Sequence, residues 1–261
     1  MQKLLILLTL SATAFAQNAP QRQAAPPRTA QAAAPIDLTG YWVSQIVDEW
    51  RFRVTPQKGD IAYLPINAEA RKLANSWDPD KDTAEGAQCK AYGAVGVMQR
   101  PGRLHLTWKD ENTLQLDADA GTQTRLLHFG TSPAQNEEPS WQGYSAAPWL
   151  VRGRALMDLG GIGFVFGGGP PPPPRGQGGS LKVVTSKMRP GYIRKNGVPY
   201  SGNAVLTEYM NLLTGAQNDV YLAVTASVED PVYLNQPFLR TYTFKRLPDA
   251  SGWEPTPCWP K

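Results

Sequence analysis

The sequence is poor in the residues that perform most enzyme chemistry, with two histidines and two cysteines among its 261 positions. It has no Gly-x-Ser-x-Gly elbow, no Ser-x-x-Lys pair and no His-Glu-x-x-His motif, and no dinucleotide-binding fingerprint follows a strand. An acid-rich calcium loop is also missing, and a zinc site usually needs more histidines or cysteines. We therefore expect no bound metal and no cofactor, and no motif identifies a reaction.

No apolar stretch approaches the roughly 20 residues that a membrane-spanning helix needs. The first residues instead combine a base at Lys3, an apolar run over residues 4–10 and the small-x-small triplet Ala14-Phe15-Ala16. This order is typical of a secretory signal peptide. We predict that residues 1–16 are that peptide, that cleavage follows Ala16, and that the protein is exported to the periplasm or the extracellular space.

Residues 17–35 consist mainly of Ala, Gln, Pro and Arg, with no acid and no aromatic residue. Such a segment buries too little surface to offset its ordering entropy, so it predicts a disordered tether. The leader and tether contain three bases, Lys3, Arg22 and Arg28, so 26 bases fall to 23 against 22 acids without them. A nearly neutral domain gives no support to nucleic-acid binding.

The two cysteines, Cys89 and Cys258, lack the Cys-x-x-Cys spacing of a redox site. In an exported chain an even number of cysteines predicts a disulfide. That bond would stabilise the fold by roughly 5 kcal/mol in the chain-entropy model, because it closes a loop of about 170 residues. A catalytic cysteine pair is the alternative interpretation.

Short alternating runs between turn residues dominate residues 36–261 and predict a single, mainly β domain. We expect an antiparallel meander of nine or ten strands that closes into a lipocalin-like barrel, with a β-sandwich as the alternative. Residues 160–179 include three consecutive glycines and five consecutive prolines, which a strand ladder does not tolerate. They predict a flexible Gly/Pro loop.

Two short helices are expected near the N-terminal side of the domain. Asn67 can cap the first, which reaches Trp77 before an Asp-Pro pair. The second is expected to start at Thr83 and to end near Gly93. Residues 42–54 are rich in aromatic and β-branched residues and predict the first strand or pair of strands.

Turn signals at residues 110–112 and 119–121 predict the register of three neighbouring strands. A three-residue loop at each turn places His105 opposite Asp117 and puts Arg125 on the same face. Alternation then gives the meander two different faces. The polar face carries Arg103, His105, Thr107, Gln115, Asp117, Gln123 and Arg125. The apolar face carries Leu104, Leu106, Trp108, Leu114, Leu116, Thr124, Leu126 and His128.

Two interpretations of the polar face remain open. It is either an ordinary solvated sheet surface or the inner wall of a barrel that holds one small ligand. In the second case His105, oriented by Asp117, would act as general acid or base, and Arg125 would stabilise developing negative charge. The ligand contacts on this face would be Arg103, Gln115 and Gln123.

Residues 188–203 combine Pro and Gly with several basic and aromatic side chains. They predict a structured loop, which is either a crossover that covers the barrel end or the mouth of a ligand site. The second interpretation adds four ligand-binding candidates, Tyr192, Arg194, Tyr200 and Asn203.

The opening Asp37-Leu38-Thr39-Gly40-Tyr41-Trp42 resembles the Gly-x-Trp opening of lipocalin-type (calycin) barrels, in which the Trp closes one end of the barrel. Further blocks resemble a family of uncharacterised exported bacterial proteins. They cover residues 88–93, 105–129, 189–200 and 228–238. The resemblance implies a calycin-like barrel and implies no activity. Relative to that family, the Gly/Pro loop looks like an insertion.

Three functions remain open from the sequence. The first is an exported protein that binds a small, largely apolar ligand with a polar or anionic group. The second is a cofactor-independent lyase, isomerase or hydrolase that uses a His/Asp pair in the barrel. The third is a structural or interaction module of the cell envelope. The first two require the face with His105, Asp117 and Arg125 to line a pocket rather than to face water.

Overall fold

The computed structural model of the chain describes residues 28–47, 49–54, 56–130, 137–151 and 178–259. Its strands are β1 (Gly40–Gln45), β2 (Arg103–Asp110), β3 (Thr113–Ala118), β4 (Gln123–His128), β5 (Tyr144–Ala146), β6 (Trp149–Val151), β7 (Gly179–Ser186), β8 (Gly191–Arg194), β9 (Val198–Tyr200), β10 (Val205–Thr214), β11 (Val220–Glu229) and β12 (Phe238–Leu247). Its helices are α1 (Trp50–Val54), α2 (Ala68–Ser76), α3 (Pro79–Ala84) and α4 (Ala94–Val97), with 3₁₀ turns at Gln88–Tyr92 and Ala216–Asn218. The predicted signal peptide and nearly all of the predicted Gly/Pro loop lie outside the described residues.

Nine of the strands close into a barrel. Their order is β10-β11-β12-β1-β2-β3-β4-β5-β7, and β7 also pairs with β10. Strands β4 and β5 run parallel, and the other neighbours in the barrel are antiparallel. The predicted mainly β fold with a closed barrel is therefore confirmed, as a mixed rather than purely antiparallel sheet.

Apolar side chains pack inside the barrel, because alternation turns one face of each strand inward. Trp42 on β1 is fully buried and donates from its indole nitrogen to the carbonyl oxygen of Leu38 at 3.1 Å. The guanidinium of Arg246 lies 4.6 Å from the centroid of that indole. Other fully buried strand side chains are Leu106, Leu114, Leu116, Leu127, Leu181 and Phe244. This part of the barrel is a packed core, where a ligand would have to displace side chains.

One end of the barrel is covered by the described residues between β1 and β2 and by the hairpin β8–β9. We call it the capped end. Gln99 joins these two covers, because its Nε2 donates to the carbonyl oxygen of Ile193 on β8 at 2.5 Å and to that of Val95 on α4 at 3.2 Å. The capped end therefore brings together side chains that lie far apart in sequence.

The helices follow the local capping signals only in part. Asn67 caps α2 by accepting a hydrogen bond from the backbone N–H of Ala70 at 2.9 Å, as predicted, and Trp77 follows the last helical residue. The predicted second helix is wrong in its bounds, since Asp78 caps α3 with Pro79 at its first position. Among the described residues, no helix has both the length and the apolar character to cross a membrane.

The prediction of strand over residues 42–54 is also wrong in its second half, since β1 ends at Gln45 and α1 begins at Trp50. A tertiary contact outweighs the local β propensity of this segment. In the helix Arg53 points inward, and its Nε donates to the carbonyl oxygen of Gln99 at 3.3 Å. Helix α1 thereby becomes part of the capped end.

In the first hairpin His105 lies opposite Asp117 as predicted, although a register shift between Trp108 and Asp110 shortens the turn to two residues and pairs Asp110, rather than Lys109, with Thr113. The register of the second is wrong by one residue, because Leu116 rather than Gln115 lies opposite Arg125. The connecting turn has four residues, with positive φ at two of them instead of one. Since side chains alternate along a strand, the extra residue exchanges the two faces of β4. Arg125 points inward, and His128 points outward.

The cysteines form the predicted disulfide between Cys89 and Cys258, with their Cα atoms 5.2 Å apart. The bond holds the C-terminal segment against the turn between β3 and β4. Thr122 donates from Oγ1 to the carbonyl oxygen of Thr256 at 2.9 Å, and the backbone N–H of Thr256 donates to Asp119 at 2.9 Å. The disulfide therefore anchors a segment that forms no strand.

The end of the predicted tether packs on the barrel, contrary to the expectation of disorder up to residue 35. Trp149 donates from its indole nitrogen to the carbonyl oxygen of Ala30 at 2.8 Å, and Ala30 donates to the side chain of Asn112 at 2.9 Å. Pro35 contacts the backbone at Gly179. The segment contacts Trp149, Asn112 and Gly179, which come from three distant parts of the chain. The composition of the segment gave no indication of these contacts.

Candidate functional site

The structure does not bring together His105, Asp117 and Arg125. His105 and Asp117 are half-buried on the outer face of the barrel, where His105 stacks on Tyr41 with ring centroids 3.9 Å apart. Asp117 accepts a hydrogen bond from Thr124 at 2.6 Å. Arg125 lies on the opposite, inner face. The predicted acid–base pair therefore faces outward without the arginine that was to complete it.

The other predicted ligand contacts of the meander bond within their own surroundings. Gln115 donates to the carboxylate of Asp117 at 2.8 Å, and Gln123 donates to the carbonyl oxygen of Gly121 at 2.6 Å. Arg103 lies 4.0 Å from the carboxylate of Asp119. They do not converge on a common point.

The predicted mouth, residues 188–203, is the hairpin β8–β9 with its flanks. Tyr192 donates to the carboxylate of Asp82 at 2.8 Å, and burial with this carboxylate raises the pKa of its phenol. Tyr200 is fully buried, and Asn203 is exposed. Arg194 alone among these four candidates is a buried cation, and it points into the capped end.

Arg194 belongs to a group of four arginines at the capped end, which we call the arginine cluster. Its members are Arg53 on α1, Arg100 after α4, Arg194 on β8 and Arg240 on β12. The first three are 4 % exposed or less. Tyr242 links the four residues: the guanidinium of Arg53 lies 5.4 Å from its ring centroid, and the other three arginines interact electrostatically with its phenol.

Strand alternation directs Arg240 into the mouth of the barrel. It shares the inner face of β12 with Phe238 and Tyr242, both buried. Its partner across β11 is Ala226, whose own partner on β10 is Glu208. A row of inward side chains therefore runs from the arginine cluster to a buried carboxylate.

The described carboxylates pair unequally with Arg100, Arg194 and Arg240 of the cluster. The carboxylate of Glu49 lies 2.7 Å from Nε of Arg240 and 3.8 Å from Nη2 of Arg194. Arg100 forms no ion pair with any described residue, and burial lowers its pKa to about 10. Burial also lowers the pKa of Arg194, while Glu49 opposes that shift.

Several donors of the cluster lack acceptors. Within the described part of the chain, nothing accepts from Nε and Nη2 of Arg100 or from Nη1 and Nη2 of Arg194. Buried polar atoms are nearly always paired in folded proteins, so each such atom requires an explanation. Four such nitrogens, on two buried cations that both act electrostatically on Tyr242, make this end of the barrel the candidate site.

A second polar group lies inside the barrel. Arg125 donates from Nε to Ser145 at 2.9 Å, from Nη2 to Thr185 at 2.5 Å and from Nη2 to Glu208 at 2.5 Å. Ser145 and Thr185 also share a hydrogen bond at 2.9 Å. Glu208 lies in the same cross-strand row as Arg240, so this group is adjacent to the arginine cluster on the inside of the barrel.

Aromatic rings surround the cluster. The guanidinium carbon of Arg194 lies 4.2 Å from the ring centroid of Phe52, and that of Arg240 lies 4.6 Å from Phe238. Such contacts suit a guanidinium, which is weakly hydrated and stacks on rings. Chemically, the arrangement offers planar cations and apolar walls. No group of three or more His, Cys, Asp or Glu that could hold a metal occurs in the described ranges.

Sequence reasoning missed Arg53, Arg100, Arg240 and Glu208, although alternation carried a signal for two of them. Arg240 interrupts the apolar positions of β12, and Glu208 interrupts those of β10. An inward-pointing charge in an otherwise apolar face is a usable warning of a buried site. Arg53 and Arg100 lie outside the strands and had no such signal.

Similarity to known proteins does not assign this site. No family model matches the chain, and neither a curated protein nor a solved structure matches it. The resemblance to exported bacterial proteins and to lipocalin-type barrels stays a prediction. Geometry alone therefore identifies the arginine cluster as the candidate site.

Proposed function

We propose that the protein binds a small ligand through an anionic group held by the arginine cluster, with the apolar part of the ligand against the surrounding rings. One observation carries this proposal: four donor nitrogens of Arg100 and Arg194 are buried and meet no acceptor among the described residues. A buried donor without an acceptor costs about 1–3 kcal/mol, and more when it is charged. An oxyanion would supply acceptors to these nitrogens and a negative charge beside the two buried guanidinium groups.

The chemistry of guanidinium defines the class of ligand. Its planar fork pairs with two oxygens at once, as a carboxylate, phosphate or sulfate offers. Burial strengthens such a pair, because opposite charges attract each other more strongly where the local dielectric is low. The exposed members of the site are Glu49 and Arg240, with 29 % and 24 % of their side chains accessible. A ligand would therefore enter beside this pair.

The apolar side chains of α1 indicate that the ligand has an apolar part. Phe52 faces the cluster, while Trp50 and Val54 on the same helix remain exposed. Apolar surface beside a cationic site favours a ligand with an aromatic or aliphatic body and one acidic end over inorganic anions. This matches the first function expected from the sequence, at the barrel end instead of in its interior.

Export belongs to the same proposal. The charged start, the apolar run over residues 4–10 and the triplet at Ala14–Ala16 support a cleaved leader. The disulfide between Cys89 and Cys258 suits an oxidising compartment. Intact mass of the protein recovered from the periplasm or medium tests this: we expect a chain that begins at Gln17, and an uncleaved cytoplasmic chain would contradict export.

Calorimetric titration with a charged ligand and its neutral analogue tests binding. We expect 4-phenylbutyrate to bind and 4-phenylbutanamide not to bind, since only the carboxylate supplies acceptors to the arginines. Sodium phosphate should raise the melting temperature more than sodium chloride at equal ionic strength, because ligands of the native state stabilise it by mass action. Equal effects of the two salts, together with equal binding of acid and amide, would exclude an anion site.

Variants locate the site. Arg194→Met and Arg100→Met keep the length of the side chain and remove its charge, so each is expected to weaken 4-phenylbutyrate binding about tenfold or more, as for a lost charged hydrogen bond. Arg71→Met on the exposed face of α2 is the matched control and should bind as the wild type does. Full affinity in both cluster variants would leave the envelope-module hypothesis as the better supported one.

A further inference from the structure

A cleft on the outside of the capped end is separate from the arginine cluster. It has a volume of about 530 Å³ and lies between the start of α3, the end of α2 and the turn of the β8–β9 hairpin. Its lining includes Pro56, Lys58, Trp77, Asp78, Pro79 and Lys195. Clefts of about 300–1,000 Å³ are the usual size for small-molecule sites. We call it the Trp77 cleft.

The walls of the cleft are held in place without a ligand. Trp77 donates from its indole nitrogen to Asp82 at 2.9 Å and meets the ring of Tyr192 edge-on, with centroids 6.4 Å apart. Gly197 has φ of +81°, and a Cβ there would overlap the indole of Trp77. The glycine thus permits direct packing of the hairpin turn on the indole.

The opposite wall is tied to the same hairpin. Asn196 donates from Nδ2 to the carbonyl oxygen of Gln57 at 2.9 Å and to that of Asp60 at 3.1 Å. The side chain of Asn196 is buried, so these bonds are protected from water. A cleft with both walls bonded to one hairpin is preorganised, which lowers the entropic cost of binding.

The charges in the cleft favour an anion. Neither Lys58 nor Lys195 forms an ion pair with a described residue. The carboxylate of Asp78 is engaged as the cap of α3, where it accepts from the backbone N–H of Asp80 at 3.0 Å. Two lysines thus face one carboxylate among the lining residues, which leaves the cleft with a net positive charge beside an indole and two proline rings. The Lys195 ammonium also lies 5.8 Å from the ring centroid of Tyr92.

We propose that the Trp77 cleft is a second binding site, for a small ring-bearing anion such as an aromatic carboxylate. The ring would pack against Trp77 and the prolines, and the carboxylate would lie between Lys58 and Lys195. Arg194 and Lys195 are consecutive, but only Lys195 lines the cleft, whereas Arg194 lies beside Glu49 and Phe52. The cleft shares no lining residue with the arginine cluster, so the two sites can fill independently.

Titration with 2-naphthoate at low ionic strength, followed by ¹H–¹⁵N NMR, tests the proposal. The indole N–H signal of Trp77, assigned by its loss in Trp77→Phe, is expected to shift on binding. Lys58→Gln and Lys195→Gln should each weaken binding about threefold, and the double variant about tenfold, as for partly solvated charge pairs. Lys109→Gln, exposed at the opposite end of the barrel, is the matched control and should bind as the wild type does.

Three results would overturn the proposal. They are no detectable binding of 2-naphthoate, equal binding of the neutral 2-naphthamide, or full affinity in the double lysine variant. The Arg194→Met variant separates this site from the arginine cluster. We expect it to keep its affinity for 2-naphthoate in the cleft, and loss of the Trp77 shift in that variant would mean that the ligand binds at the cluster instead.

Discussion

Nη2 of Arg125 lies 2.5 Å from Oε2 of Glu208 inside the barrel, and neither side chain is more than 1 % exposed. The two residues come from β4 and β10, which are separated by 83 positions in sequence. Ser145 and Thr185 also accept hydrogen bonds from the guanidinium. Nη1 of Arg125 and Oε1 of Glu208 have no hydrogen-bond partner among the described residues. A buried ion pair of this kind constrains which substitutions the core tolerates.

Glu208→Leu is expected to destabilise the protein by about 3–5 kcal/mol, because it leaves the buried guanidinium of Arg125 without its counter-charge. The double variant Arg125→Met/Glu208→Leu should lose far less, since no buried charge remains. Urea denaturation of the wild type and both variants measures the difference. If the double variant is as unstable as the single one, packing rather than charge pairing explains the loss.

Arg100→Met should stabilise the ligand-free protein. Burial lowers the pKa of Arg100 to about 10, which corresponds to a cost of about 3 kcal/mol for keeping the charged form in the folded protein. We expect a gain of about 1–3 kcal/mol in the free energy of unfolding, together with the loss of stabilisation by phosphate. A variant that is less stable than the wild type in phosphate-free buffer would show that Arg100 already has an internal partner.

Removing the disulfide should cost roughly 2–5 kcal/mol, the usual range for a bond that closes a long loop. Cys89→Ser/Cys258→Ser is the variant, and urea denaturation measures the free energy of unfolding. Limited proteolysis should then cut within residues 253–259, because the disulfide anchors that segment to the turn after β3. Wild-type protein treated with a reductant is the control and should behave like the variant. Unchanged stability and cleavage would show that hydrogen bonds alone hold the segment.

His128 should make stability depend on pH below neutrality. Partial burial lowers its pKa in the folded state, against weaker opposing effects of Glu137 and Asp110. The unfolded chain therefore binds a proton more readily, so stability is expected to fall as the pH drops through about 6.5, the ordinary pKa of histidine. His128→Gln should reduce the slope of unfolding free energy between pH 7 and 5, and an unchanged slope would contradict this assignment. His105→Gln, which retains His128, is the matched control.

Local signals in the sequence were sufficient for several elements. Asn67 offers the side-chain acceptor that a helix start needs, and the Asp-Pro pair after Trp77 ends that helix. Alternating runs predicted the strands at residues 181–186, 220–228 and 239–246, which lie within β7, β11 and β12. The pairing of His105 with Asp117 followed from counting residues back from the turn at 110–112, because facing residues of a hairpin lie equally far from its turn.

The register predicted in the same way for β3 and β4 is wrong, because the length of the turn between them depends on Thr122 as well as on Gly121. Gly121 adopts φ of +78°, as a turn residue should, but Thr122 follows at +50° and lengthens the turn. The backbone N–H of Thr122 bonds to Asp119, and its hydroxyl bonds to Thr256 in the C-terminal segment. A contact from 134 positions away thus supports the residue that decides which face Arg125 occupies.

The sequence by itself determined the mainly β class, the cysteine pair available for a disulfide and the presence of alternating faces, because these depend on composition and on period-two patterning. Only the tertiary structure decided which face of β4 is inside, and only it brought Arg53, Arg100, Arg194 and Arg240 around Tyr242. These arginines lie on four separate elements, and no local pattern relates their positions. Barrel closure and the packing of the capped end place them together.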